Sequence, residues 1–129
     1  MPTTADDDRV LLVEDDPATA EAMTRLLASV GLGVVCATSV RDGIAALAKM
    51  PAVVVLDLML PDGCGLEVLE AIRLSRLRCK VAVVSASTDR ATLDALRLLR
   101  PEAVFPKPLD FQDFVDWLCE AFALPAEAA

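Results

Sequence analysis

The stretch Ala52-Val53-Val54-Val55-Leu56-Asp57-Leu58-Met59-Leu60-Pro61-Asp62-Gly63 decides how this chain folds. Its opening apolar run reads as a strand buried on both faces, the pattern of the middle of a parallel sheet. Pro61-Asp62-Gly63 then gives a strong turn signal. Upstream, Ser39-Val40-Arg41-Asp42 resembles a capping box with Asp in place of Glu and opens a helix to Lys49. Before it, Gly33–Ala37 is a short strand. Asp16 serves as N-cap and Pro17 as first helical residue for a helix carrying Ala22, Leu26, Leu27 and Val30 at helical spacing, stopped by Gly31. Arg9–Val13 is the first strand. Downstream lie a helix at Gly65–Ser75, a strand at Val81–Val84, a helix at Asp89–Leu99, a strand at Ala103–Phe105 and a helix from the cap Asp110 through Phe122. Such a series of βα units implies an α/β domain: a doubly wound, five-stranded, mostly parallel sheet with helices on both faces and right-handed crossovers. Residues 1–8 read as a disordered N-terminal tail, 9–123 as the domain and 124–129 as a frayed C-terminal tail.

The 129 residues suffice for one domain with a real core, and a hydrophobic content of 55% excludes disorder for most of the chain. The net charge of −8 argues against direct nucleic-acid binding, since phosphate backbones need a basic patch. The start of the chain is polar and acidic, unlike a signal peptide, and no apolar run is long enough to span a bilayer. A cytoplasmic protein without a membrane partner is expected. Cys36, Cys64, Cys79 and Cys119 form no Cys-x-x-Cys pair and read as buried reduced thiols, with Cys64 set apart by its place in a loop near Asp57. Histidine is absent. That removes an imidazole base and a Ser-His pair, and any phosphohistidine must belong to a partner.

Parallel strands point one way, so the residues that end them converge on one sheet edge. The first strand ends in Glu14-Asp15-Asp16, the third in Asp57, the fourth in Ser85, and Lys107-Pro108 follows the fifth. That edge gathers carboxylates, a hydroxyl and an ammonium, an inventory suited to a divalent cation and a phosphoryl group. Two carboxylates about 4 Å apart repel by roughly 4 kcal/mol at an effective dielectric near 20. Without a cation, one member of the cluster should have a raised pKa. Pro108 biases Lys107 towards an extended backbone. For Asp16 the capping role is preferred, because Pro17 marks the helix start.

These pieces, in this order and each at a strand end, closely resemble a bacterial two-component response-regulator receiver domain over roughly residues 9–122. Pro61 and Gly65, four and eight residues after Asp57, Ser85-Ala86 and Lys107-Pro108 all fit the family pattern. The resemblance implies a flavodoxin-like strand order, 2-1-3-4-5, and a cis Lys107-Pro108 bond. It implies that Asp57 accepts a phosphoryl group from a phosphohistidine on a histidine kinase or histidine phosphotransfer protein, or from a small acyl phosphate. Mg²⁺ would be held by Asp15 and Asp57, by Glu14 through water, and by the backbone carbonyl of Met59. Lys107 would pair with Asp57 at rest and with the phosphoryl group afterwards, and Ser85 would move to bond that group. The chain would be no enzyme beyond its own phosphorylation and dephosphorylation. A downstream protein or a second copy would dock on the helix 4–strand 5–helix 5 face.

One position departs from the pattern. Val104 stands where the family usually has a switching Tyr or Phe, and Phe105, one step along the strand, faces the other way. A degenerate receiver serving as a protein-binding module is therefore an alternative. A haloacid-dehalogenase-like phosphatase would need an acidic residue where Met59 stands, and an FMN module would be repelled by Glu14-Asp15-Asp16. In the last helix, Phe111, Phe114, Val115, Leu118 and Phe122 share a face expected in the core. Asp113, Asp116 and Glu120 lie opposite, and Trp117 falls at the border, packing on a neighbouring helix or anchoring an interface.

Overall fold

The apolar runs form one parallel sheet of β1 (Val10–Val13), β2 (Val34–Ala37), β3 (Val53–Asp57), β4 (Lys80–Ser85) and β5 (Ala103–Pro106), in the order β2-β1-β3-β4-β5. The structure, a computed structural model, describes residues 9–86 and 89–122. The two expected tails, 1–8 and 124–129, lie outside the described residues. The helices are α1 (Pro17–Ser29), α2 (Val40–Ala46, continued by a tighter turn at Leu47–Lys49), α3 (Leu66–Ser75), α4 (Arg90–Leu99) and α5 (Phe111–Ala121). None of them is long and apolar enough to cross a membrane.

Alternation along the strands divides the core in two. Leu11, Val13, Val54, Leu56, Val81 and Val83 pack with Val68, Leu69, Ile72 and Leu96 of α3 and α4. Leu12, Val53, Val55 and Val84 pack with Met23 and Leu27 of α1 and Phe114 and Leu118 of α5. Both faces of the central strands are therefore covered, which is why β1 and β3 carry almost no polar side chain. Full burial of a Leu or Phe such as Leu27 or Phe114 stabilises by about 1.5–3 kcal/mol.

The predicted caps hold the helix starts. Asp16, Ser39, Asp89 and Asp110 accept the amides of Thr19, Asp42, Thr92 and Asp113, at 2.9 to 3.1 Å. α3 begins without a side-chain cap, at Gly65.

Three expectations are corrected. The segment after β3 is not only a loop: Met59–Leu60 and Gly63–Cys64 pair as a small antiparallel ribbon around the Pro61-Asp62 turn. Phe111 is 48% exposed rather than in the core. It is the first residue of α5 and borders an open cavity rather than packed core. Cys36 is exposed and Cys64 half-buried, leaving only Cys79 and Cys119 as buried thiols. Cys36 is on β2, the edge strand, whose outer side has no further strand. Finally, Trp117 has a contact that neither reading named: it packs edge-on against Phe105 of β5, at 6.2 Å between centroids.

Candidate functional site

The chain reverses its direction of winding at β1, between β2 and β3, and the strand ends there open a crevice. β1 and β3 are in register, Val13 beside Leu56, so Glu14 and Asp57 leave adjacent strands at the same level. Both are buried, at 4% and 6% exposure. β5 ends opposite Ser85, and the next residue, Lys107, donates its main-chain N–H to the Ser85 carbonyl. The peptide between Lys107 and Pro108 is cis, as the family pattern implied. The Lys107 ammonium lies 3.2 Å from Asp57 Oδ2 and 3.3 Å from Glu14 Oε1. The sequence suggested the first pairing; the second follows only from the register of β1 on β3.

Asp15 is exposed, yet ligand atoms of Glu14, Asp15 and Asp57 all lie within 4.8 Å of one another. Asp16 is outside that group. Its carboxylate accepts the Thr19 amide at 2.9 Å and the Thr19 hydroxyl at 2.6 Å, which holds its pKa down and fixes it as the cap of α1. Burial pushes the Glu14 carboxyl above its ordinary value, against the Asp16 amide that donates to it and with the help of the Asp57 charge. Partial burial works against the Lys107 ammonium, but Asp57 and Glu14 outweigh it and its pKa is raised.

Met59 is turned outward, 69% exposed, so its side chain is not part of the cluster. Its amide donates to Asp57 Oδ1 at 3.2 Å. Ser85 is buried at the end of β4, one residue beyond Val84, the register partner of Asp57. Gly65 packs tightly against the Asp57 backbone: a Cβ there would strike the Asp57 carbonyl oxygen. Its amide donates to Leu58 O at 2.8 Å, which folds the ribbon back under the strand end.

Two features were missed by sequence reading. The Asp62 carboxylate accepts the amides of Val40 and Arg41, at 2.7 and 3.0 Å, and so fastens the ribbon's turn to the first turn of α2. Asp62 was read only as a turn residue; no local pattern links it to a helix 22 residues earlier. An apolar cavity of 380 Å³ also lies beside the cluster, between α1 and the start of α5, and Ala18, Ala22, Met23, Leu109 and Phe111 help to line it. Small residues at Ala18 and Ala22 on one face of α1 were the available signal.

A nucleophile-like carboxylate, a paired ammonium and two further carboxylates at the switch point of a 2-1-3-4-5 sheet define a class, the phosphoacceptor modules of two-component signalling. The sequence matches the response regulator receiver domain over residues 10–118, and the chain belongs to that family. It is similar to the acid tolerance regulatory protein ActR of Rhizobium meliloti (strain 1021), 36% identical over 110 residues covering 84% of this chain and 57% of that protein. It is also similar to the photosynthetic apparatus regulatory protein RegA of Rhodobacter capsulatus, 34% identical over 92% of this chain and 66% of that one. The chain thus spans somewhat more than half the length of these relatives. Among solved structures, a CheY-like response regulator receiver domain protein from Methanospirillum hungatei JF-1 superposes with a TM-score of 0.81 at 25% identity, covering 88% of this chain and 91% of that one. The signal receiver domain of a Luxo repressor protein from Vibrio parahaemolyticus gives 0.80 at 24% identity, covering 88% of each chain, which speaks for the fold. The family match leaves the phosphatase and flavin readings without support.

Proposed function

We propose that Asp57 is the phosphoacceptor of a cytoplasmic phosphorelay, and that this domain accepts a phosphoryl group from a phosphohistidine of a histidine kinase or histidine phosphotransfer protein. The observation that carries this reading is the buried Asp57 carboxylate held at 3.2 Å by the Lys107 ammonium, beside Glu14 and Asp15. An Asp57 oxygen attacks phosphorus, the phosphorus–nitrogen bond breaks, and the imidazole leaves with the bonding pair and takes a proton from solvent. Lys107 gives up its contact to the attacking oxygen and takes a phosphoryl oxygen. The Met59 amide keeps the second Asp57 oxygen in place, so the nucleophile enters in one orientation. The Ser85 hydroxyl bonds the new group from the β4 side. Hydrolysis by water later returns Asp57 to its carboxylate. These two reactions at Asp57 are the only chemistry proposed for the chain.

The donor set suits Mg²⁺: hard carboxylate oxygens from Glu14, Asp15 and Asp57 lie within 4.8 Å of one another, and the Met59 carbonyl would complete the set. When bound, the ion neutralises the carboxylates and the incoming phosphoryl oxygens. Asp15 and Asp57 would hold the ion directly and Glu14 through water. The intact cluster favours this reading over a degenerate, binding-only receiver. The switched surface is the face of α4, β5 and α5, towards a downstream protein or a second copy. Intact-mass analysis with acetyl phosphate and Mg²⁺ tests the assignment. Wild type gains one phosphoryl mass and Asp57→Asn gains none; equal labelling of the two would refute Asp57.

A further inference from the structure

The opposite edge of the sheet, where the strands begin, carries a second surface. Eight of the chain's twelve Lys and Arg residues sit there: Arg9 before β1, Lys49 before β3, Arg73, Arg76, Arg78 and Lys80 around the start of β4, and Arg97 and Arg100 before β5. Three of these have structural work. Arg73 reaches from α3 to the carbonyls of Leu99 and Arg100 at 2.8 and 2.7 Å and to Glu102, tying the ends of α3 and α4 together. Lys80 donates to the Ala121 carbonyl, and Arg9 lies 5.1 Å over the Phe122 ring. The other five, Lys49, Arg76, Arg78, Arg97 and Arg100, are exposed and make no ion pair with the described residues.

Helix ends attract cations through their dipoles, so some basic charge is expected here. Two observations go beyond that. First, Met50, Arg76 and Arg100 are the three non-glycine residues with positive φ among the described residues, at 57°, 55° and 53°, and each ends a helix at this edge. Glycine adopts that conformation with least strain, yet long side chains stand at all three. Second, the cations rim hollows with apolar floors. Met50, Pro51, Arg76, Leu77 and Arg78 line a cavity of 280 Å³; Ala52, Val53, Cys79 and Phe122, with Arg78 and Lys80, line another of 280 Å³. Arg78 belongs to both. Met50, Leu74 and Leu98, from the same helix ends, are 72%, 86% and 83% exposed.

We propose that this edge is a docking surface for an acidic, aliphatic peptide segment of a partner protein. Carboxylates meet the five cations that make no ion pair with the described residues, and aliphatic side chains enter the two hollows. A polynucleotide fits less well: the Phe122 ring in the second hollow is already covered by Arg9 and offers no face for base stacking. A lipid surface is flat and fills neither hollow. With a net charge of −8, most of the surface disfavours an acidic peptide, which leaves this edge as the favoured place for it to dock. The surface is independent of the chemistry at Asp57.

The test is a titration of the full chain with a fluorescein-labelled peptide of alternating Glu and Leu, read by anisotropy and by amide chemical shifts. A Gln/Leu peptide, anionic vesicles and single-stranded oligonucleotide are run in parallel. The triple variant Arg76→Gly/Arg78→Ser/Arg100→Gly keeps the backbone geometry, because glycine suits both left-handed positions. The Glu/Leu peptide binds at least about tenfold tighter than the Gln/Leu peptide, loses that margin in high salt and in the triple variant, and shifts amides at 49–52, 76–80 and 97–100. Equal binding to the triple variant, shifts centred elsewhere, or tighter binding of vesicles or oligonucleotide overturns the proposal. So does loss of the same shifts on dilution of the protein alone, which would make a second copy the occupant.

Discussion

The two edges of the central sheet carry opposite charge and are built in opposite ways. At the edge where strands end, charge is buried and paired: Glu14 and Asp57 are each under 7% exposed and share one ammonium. At the edge where strands begin, charge is mostly exposed, and five of its cations make no ion pair with the described residues. A buried cluster fixes a few atoms within tenths of an ångström and suffers when one member is removed. A rim of exposed cations fixes nothing and tolerates exchange. The first is suited to chemistry on one atom, the second to recognition of a chemical class.

This contrast can be broken in stages, and the largest effect belongs to the rigid edge. Gly65→Ala brings a Cβ against the Asp57 carbonyl, which is backbone and has nowhere to move. Urea unfolding should show a loss of about 3 kcal/mol, the upper end for overpacking, with labelling by acetyl phosphate impaired. A loss under about 1 kcal/mol would mean that the strand end is softer than the geometry indicates.

Glu14→Gln probes the same edge through pH. An acid whose folded pKa is raised binds protons more readily when folded, so its contribution to stability falls as pH rises from its ordinary value, 4.5, through the raised one. Without divalent cations, the variant should unfold at higher urea than wild type near neutrality, and the two should converge below the ordinary value. Lys107 does not disturb this window: its raised pKa makes a contribution that is complete below 10.5 and is lost only as pH rises through the raised value. With Mg²⁺ the order at neutrality should reverse, because the lost charge is then missed.

At the other edge, Arg76→Gly and Arg100→Gly should each raise stability by about 0.5 kcal/mol. Relief of a left-handed conformation gives about 1–2 kcal/mol and the lost helix-end cation takes back about 0.3–1. A drop in stability would show that these cations hold the fold together, and the two edges would then differ less than described.

The smallest effect is expected at Val104→Ala. Val104 is 50% exposed on β5, while Phe105 faces inward with its ring 5.6 Å from Phe114. Stability should change by less than about 1 kcal/mol. Acetyl-phosphate labelling should be unchanged.

Most of the fold and the acidic edge was legible because both are written in local pattern. Apolar runs give strands, Asp and Ser before helical periodicity give caps, and parallel strands oblige Glu14, Asp57, Ser85 and Lys107 to meet. What escaped depends on register or on the sum of distant loops. Glu14 meets Lys107 because β1 and β3 align residue for residue. Phe111 obeys the periodicity of α5 but borders a cavity at the start of that helix. The basic edge was hidden most thoroughly: a net charge of −8 suggested that no basic patch existed, yet the winding of the chain gathers cations from four separate segments at one end.

The clamp of Asp62 on α2 has a further consequence. The amides of Val40 and Arg41 are first-turn donors with no partner in their own helix, and the carboxylate 22 and 21 residues away supplies one. Their hydrogen–deuterium exchange therefore reads the position of the ribbon after β3, from outside the acidic cluster and without a probe attached to it. Acid should open the same reading: the Asp62 carboxyl is held below the ordinary 3.8 by those two amides, so their protection should persist through that pH and fail only under it. Two backbone protons thus serve as a built-in gauge of any movement that begins at Asp57.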